Sequence, residues 1–214
     1  MATKTQKKSL LILLLIIAAG FLLLTIFVSI DPIPKVDREF SEEIQEHSNP
    51  TVDAIMHCIS WVGYMPNSAI IVGAVALLFF VFKYRREALF VLLTALSGIV
   101  STGVKMAVNR PRPLPSMVRI LEKTHQQSFP SGHVIFYTVF FGFIALVTVR
   151  LKKLKRPLRI SIGSISLFMV FIVPLSRVYL GAHWFTDVIA GFFLGVICLY
   201  LLGYFYLKPG LQSF

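Results

Sequence analysis

Charged side chains are scarce: they make up 14% of the 214 residues, while 56% are apolar. A soluble domain averages about 25% charged and about 45–50% apolar, so an ordinary water-soluble fold is excluded. Cysteine is nearly missing too. Cys58 and Cys198 are the only two, which rules out a disulfide framework or a Cys-x-x-Cys metal site, and both read as packing residues. Acid is the third shortage, with 10 Asp and Glu against 21 Lys and Arg for a formal charge of +11. In a membrane protein such an excess records orientation or contact with anionic lipid rather than nucleic-acid binding. The chain is also short for anything beyond its spans. It can hold about six helices of roughly 20 residues, so 1–214 reads as a single integral-membrane domain.

What the sequence does have is long apolar runs. Ser9 to Ile30 carries no charge and follows Lys4, Lys7 and Lys8. A cleaved signal would have an apolar stretch of about 7–15 residues, so this run reads as a retained transmembrane helix. Further spans are expected near Asn67–Phe82, Ala88–Val104, Val134–Val149, Ile160–Val178 and Trp184–Leu207. The fold class is therefore all-α, with six membrane crossings. Residues 31–53 hold seven of the ten acids, and Val36, Phe40, Ile44, Val52, Ile55, Met56 and Ile59 recur there at helical spacing. Short amphipathic helices between spans one and two are the expectation, serving either as a connection or as a lid.

Lys83-Tyr84-Arg85-Arg86, the basic stretch 150–159, the N-terminal lysines and Lys208 fall on one side if the chain crosses six times. By the positive-inside bias that side is cytoplasmic, with both termini on it. The connections 31–65, 106–132 and 179–182 then share the outer face.

Cations at the outer ends of spans run against that bias and call for another explanation. Lys105 closes span three, Arg110 and Arg112 follow it, His133 opens span four, Arg177 closes span five, and His183 opens span six with Asp187 four residues on. Residues four apart in a helix share a face, so Asp187 can orient the imidazole of His183 and leave its other nitrogen as a nucleophile. The same pair also reads as an interfacial His beside a helix-satisfied Asp. Lys105, Arg112 and Arg177 suit a phosphate, although each alone also reads as a snorkelling anchor. Ser131 and Gly132 open a helix whose N-terminus favours an anion, with His133 placed to move a proton.

Lys105 with Arg112-Pro113, then Pro130-Ser131-Gly132-His133, then Ser176-Arg177 with His183 and Asp187, resemble the three-part signature of the type 2 phosphatidic acid phosphatase superfamily at all eleven specified positions. The resemblance implies a metal-independent lipid phosphatase without a cofactor. In it His183 forms a phosphohistidine, Asp187 orients it and His133 protonates the leaving oxygen. Lys105, Arg112, Ser131, Gly132 and Arg177 hold the phosphate. A six-span chain of this size resembles bacterial members that act at the outer face of the cell membrane. The substrate implied is phosphatidylglycerol phosphate, or alternatively the cell-wall carrier undecaprenyl pyrophosphate. From another class, a non-catalytic lipid transporter or binding protein would keep the fold, but the full nucleophile, orienter and acid set speaks against it. Arg110, Arg119, Lys123 and His125 carry no assigned role, Arg110 being the candidate for a second phosphate or headgroup contact.

Overall fold

The computed structural model describes residues 4–124 and 126–208. Among them the chain is all-helical: α1 Lys4–Ile30, α2 Lys35–Gln45, α3 Pro50–Ser60, a 3-10 turn Trp61–Gly63, α4 Asn67–Val81, α5 Arg85–Leu93, α6 Leu96–Val108, α7 Gly132–Arg150, α8 Arg156–Tyr179 and α9 Phe185–Leu207. Five helical stretches are long and apolar enough to cross a bilayer, namely Lys8–Ile30, Arg85–Val108, Gly132–Arg150, Arg156–Tyr179 and Phe185–Leu207. A sixth crossing arises if α3 with its turn and α4 form one bent element. The chain is thus a multi-pass membrane protein.

The second crossing is where the structure departs most from the run lengths. α4 has 15 residues, about 22 Å at 1.5 Å per residue, which falls short of a hydrocarbon core of about 30 Å. α3 and its turn meet α4 at a bend of 60°. Pro66 stands at the break, and having no N–H it cannot carry a helical hydrogen bond across it. α3 begins under a cap, with Asn49 Oδ1 accepting from the N–H groups of Thr51 and Val52 at 3.0 Å each. It packs against α8. In the third crossing, Thr94 Oγ1 donates to Val91 O at 2.6 Å and Ser97 Oγ to Thr94 O at 2.7 Å. These local bonds accompany the joint between α5 and α6.

α7 is the central helix. Between His133 and Arg150 it has no charge, and Val134, Ile135, Tyr137, Val139, Phe140, Phe143 and Val147 are each at most 2% exposed. A helix apolar on every side is buried on every side, and α7 packs on α6, α8 and α9. Small residues set the α7–α9 distance. A Cβ at Gly195 would lie 2.7 Å from the Cβ of Thr138, and one at Gly191 would lie 2.9 Å from Ser131 O. α1 leans on α9 from outside, with Phe21 stacked on Phe129 and much of its Leu and Ile surface exposed. Both cysteines are free, and Cys58 is exposed rather than packed.

Arg86 Nη2 donates to Tyr206 O at 2.5 Å and Lys208 O at 3.1 Å, so the basic link 83–86 sits at the C-terminal end of α9. Arg159 Nε donates to Thr148 O at 2.7 Å, which gathers the 150–159 link at the end of α7. The opposite end of the bundle collects the last turns of α6 and α8 and the first turns of α7 and α9.

If Gly195 sets the approach of α7, Gly195→Leu should destabilise the protein by about 1–3 kcal/mol through overpacking, read as a lower Tm in detergent. Gly73→Ala, where a Cβ would meet nothing within 4 Å, should leave the Tm unchanged or slightly raised.

Candidate active site

α6 ends at Asn109, which adopts a left-handed conformation (φ 48°) and donates its N–H to Lys105 O at 2.9 Å, a common helix stop. The connection that follows folds back over the helix ends. It is held there by Ser128 N–H on Arg110 O (2.9 Å) and by Leu121 and Glu122 N–H on Leu180 O (3.0 and 3.2 Å). Two cations are oriented by its carbonyls. Lys105 Nζ reaches Gln127 O at 2.6 Å and Ser128 O at 3.2 Å. Arg112 reaches Gln126 O and Ala182 O at 2.5 Å each, and its Nη1 lies 3.4 Å from His183 Nε2.

His183 is almost fully buried and lies in the link before α9, whose N-cap is Trp184. The expectation that it shares a helical face with Asp187 is therefore corrected: the turn, not the helix, brings them together. His183 Nδ1 stands 3.5 Å from Asp187 Oδ2 and makes no hydrogen bond. The carboxylate is engaged elsewhere, accepting from Trp184 N–H at 3.0 Å, from Arg110 Nη1 at 2.5 Å and from the Ser128 hydroxyl. With Arg112 beside Nε2 and a carboxylate beside Nδ1, the fitting tautomer carries its proton on Nδ1 and a lone pair on Nε2. Burial, then the positive charges of Arg112, Lys105 and Arg177, pull the His183 imidazole well below its ordinary pKa. It is neutral at pH 7, as a nucleophile must be.

His133 is the second residue of α7, its ring edge-on to Tyr64 with centroids 4.9 Å apart. A Cβ at Gly63 would collide with that ring, so glycine lets the 3-10 turn close over it. Ser131 occupies the N-cap position of α7, yet its side chain makes no cap hydrogen bond. Arg177, fully buried, is gripped by Glu122 through Nη1 at 2.6 Å and Nη2 at 2.7 Å. The Tyr64 hydroxyl donates to the same carboxylate. Burial works to raise the Glu122 carboxyl, but the bonds and charge of Arg177 outweigh it and hold the group below the ordinary glutamate value.

These groups surround a cavity of about 750 Å³. Six of the eight residues expected at the site line it: Lys105, Arg112, Gly132, His133, Arg177 and His183. Asp187 stands behind His183, and Ser131 N–H bonds Asp187 O at 3.0 Å. Away from the charges the walls become apolar, with Ala69 and Val72 from α4 and Ala95, Gly98 and Ile99 from the α5–α6 side. Among the residues lining the cavity, Ser101 Oγ, Thr124 Oγ1, His133 Nε2 and Arg177 Nε are buried without a hydrogen-bond partner. Buried polar atoms are normally paired, so donors gathered in this way, beside three cations, describe a receptor for an anion with several oxygens.

Arg110 does not take part in that receptor, which corrects its reading as a headgroup contact. It is 2% exposed and points the other way. Its Nη2 meets Asp37 at 2.5 Å, its Nη1 meets Asp187 at 2.5 Å and Thr186 Oγ1 at 2.8 Å, and its Nε meets Pro32 O at 2.8 Å. Asp37, also fully buried, accepts in addition from the Thr186 N–H at 2.8 Å and hydroxyl at 2.7 Å. Segment 31–45 is therefore fastened to the base of α9 rather than free above the cavity. Gln45 strengthens the tie, its amide bonding Arg119 O and Tyr179 O at 2.8 Å each. Arg119 pairs with Asp53 of α3, Lys123 is exposed, and His125 lies outside the described residues. Asp37, Ser128, Tyr64 and Glu122 were not foreseen. Only Glu122 left a trace, as the single acid in the basic connection 106–132.

Residues 86–210 match the PAP2 superfamily. Phosphatidylglycerophosphatase B of Bacillus subtilis (strain 168) is 28% identical over 191 residues, covering 85% of this chain and 89% of that one. The bacitracin transport permease protein BcrC of Bacillus licheniformis is 35% identical over 84 residues, 39% of this chain and 36% of that one. Among solved structures, the transmembrane PAP2 type phosphatidylglycerolphosphate phosphatase from Bacillus subtilis superposes with a TM-score of 0.78 at 25% identity, covering 92% of this chain and 98% of that one. Aquifex aeolicus LpxE shares the fold at a TM-score of 0.63 and 22% identity, covering 81% and 98%.

Because one guanidinium serves Asp37, Asp187, Thr186 and Pro32 at once, a point charge cannot replace it. Arg110→Lys should lower the Tm sharply, on the scale of about 3–5 kcal/mol for breaking a buried pair, whereas Lys123→Ala should leave it unchanged.

Proposed function

The chain belongs to the PAP2 superfamily, and from that premise we propose that it is a membrane lipid phosphatase that removes the terminal phosphate of phosphatidylglycerol phosphate by way of a phosphohistidine. The observation that carries this reading is the cavity itself, in which His183, His133, Lys105, Arg112 and Arg177 face one space that continues along apolar walls. Such a space takes a phosphate at its polar end and lipid at its apolar end. The substrate follows the likeness to the Bacillus subtilis phosphatidylglycerophosphatase B.

In the first step His183 Nε2 attacks phosphorus, the bond from phosphorus to the glycerol oxygen breaks, and His133 gives that oxygen a proton. Lys105, Arg112, Arg177, the Ser131 hydroxyl and the N-terminus of α7 at Gly132 meet the charge on the phosphoryl oxygens. In the second step water, giving its proton to His133, attacks the phosphohistidine, and the N–P bond breaks to release orthophosphate and free His183. Asp187 stabilises the imidazolium formed in between. Side-chain cations meet every charge that develops, so the reaction as read here requires no metal. The loop charges support an active site on the extracytoplasmic face with both termini inside, in a single domain that works within the bilayer on a membrane lipid phosphate.

Undecaprenyl pyrophosphate is the alternative substrate, since the same cavity chemistry fits a terminal phosphate on a prenyl tail. Transport without hydrolysis is a second reading, favoured by the likeness to a bacitracin transport permease protein over part of the chain. Phosphate release from both lipids in detergent, with a chelator present, separates the three. We expect release, faster from phosphatidylglycerol phosphate, unaffected by the chelator and abolished by His183→Ala. No release from either lipid would sink the phosphatase reading.

His133→Ala should slow release from phosphatidylglycerol phosphate by about 10²–10⁴-fold, and by much less from a pyrophosphate, whose leaving oxygen needs little protonation. Equal losses on the two substrates would remove His133 from the role of acid.

A further inference from the structure

Arg177 is the one cation of the cavity that donates to an acid, Glu122, and its Nη1 also reaches the Tyr64 hydroxyl at 3.3 Å. A guanidinium presents an end fork, Nη1 with Nη2, and a side fork, Nε with Nη2. Glu122 fills the end fork at 2.6 and 2.7 Å, and buried Nε has no partner. Glu122 is itself held from two sides. Its N–H and that of Leu121 both bond Leu180 O, three residues beyond Arg177. The Tyr64 hydroxyl donates to its carboxylate, and the Tyr64 ring is edge-on to His133.

Resting on the phosphatase reading above, we propose that Glu122 is a positioning residue for the reaction: it fixes Arg177 so that the Nε edge meets the phosphoryl oxygens, and through Tyr64 it braces the ring of His133. A carboxylate beside an anion receptor weakens ground-state binding of phosphate, so its presence there calls for a compensating gain. That gain is geometry. Side-on, Arg177 is held at a fixed angle when charge spreads over the transferring group; with the end fork free, it can swing to grip a bound phosphate without matching the transition state.

The two effects have opposite signs, which gives the test. Glu122→Gln keeps the shape, removes the charge and leaves one acceptor oxygen for three donors, Nη1 and Nη2 of Arg177 and the Tyr64 hydroxyl. In detergent, with phosphatidylglycerol phosphate as substrate and orthophosphate as inhibitor, kcat should fall about tenfold to a hundredfold while KM and the orthophosphate inhibition constant both drop severalfold. A merely structural role would lower kcat in step with the folded fraction and leave KM and the inhibition constant alone; that result, or an unchanged kcat, would overturn the proposal. Tyr64→Phe should lower kcat by a smaller factor with orthophosphate inhibition unchanged. If Glu122→Gln does not purify folded, Glu122→Asp should show the same split in smaller measure, and its absence there would count equally against the role. No turnover by the unaltered protein would overturn the phosphatase reading instead. Orthophosphate binding to the unaltered and Glu122→Gln proteins would then decide the matter, equal affinity refuting any part for Glu122 in setting the anion site.

Discussion

The buried carboxylate of Asp187 is the constraint around which the outer end of the bundle is arranged. Removing a carboxylate from water costs several kcal/mol unless its lone pairs are filled and its charge is met. Here the partners come from three separate parts of the chain: Trp184 N–H from its own turn, Ser128 from the long connection, and Arg110 from the end of α6. Arg110 in turn needs a second acid, which Asp37 of α2 provides. A network of this kind is weak evidence for stability, and its contribution is better read as specificity. Only one docking of α2, the 110–131 connection and the base of α9 satisfies all of these groups together.

With that network fixed behind it, His183 is left facing the cavity. The cations nearest it, Lys105 and Arg112, donate to main-chain carbonyls of 126–128 and 182, which orient them without cancelling their charge. Burial, with that charge and the charge of Arg177, holds the His183 imidazole well below its ordinary pKa, and burial followed by the charge of Arg177 presses the Arg112 guanidinium down to about 10. A site that repels its own protons in this way is suited to an anion that brings negative charge with it. The apolar walls between α4 and the α5–α6 joint continue from the same space, so a lipid can keep its tail in a hydrocarbon setting while its phosphate lies among the cations.

Much of this was legible before folding was considered. The scarcity of charge and the lengths of the apolar runs mark a bilayer-spanning, all-helical chain, because each crossing must satisfy its own backbone hydrogen bonds and must be apolar where it meets lipid. The likeness of Lys105, Arg112, Ser131, Gly132, His133, Arg177, His183 and Asp187 to a family signature pointed to the candidate site, and six of these eight line the cavity. The second crossing was legible only in part: α4 is short for a span by itself, and the helix that can complete it lies across the Pro66 break in a stretch that reads as a continuation of the acidic connection 31–53.

Arg110 and Glu122 show where such reading stops. In the sequence, Arg110 stands two residues from a phosphate-binding candidate, and alternation in an irregular loop carries no rule for which way a side chain points. Its partners Asp37 and Asp187 are 73 and 77 positions away, and Glu122 meets Arg177 across 55. Composition and periodicity report the medium in which each segment must be stable, which is a property of neighbouring residues, so the sequence alone determined the membrane and the helices, and its likeness to a family signature named candidates for the site. Which fork of a guanidinium meets which carboxylate depends on desolvation and angstrom-scale distance between segments far apart in the chain, and that was decided only when the helices packed.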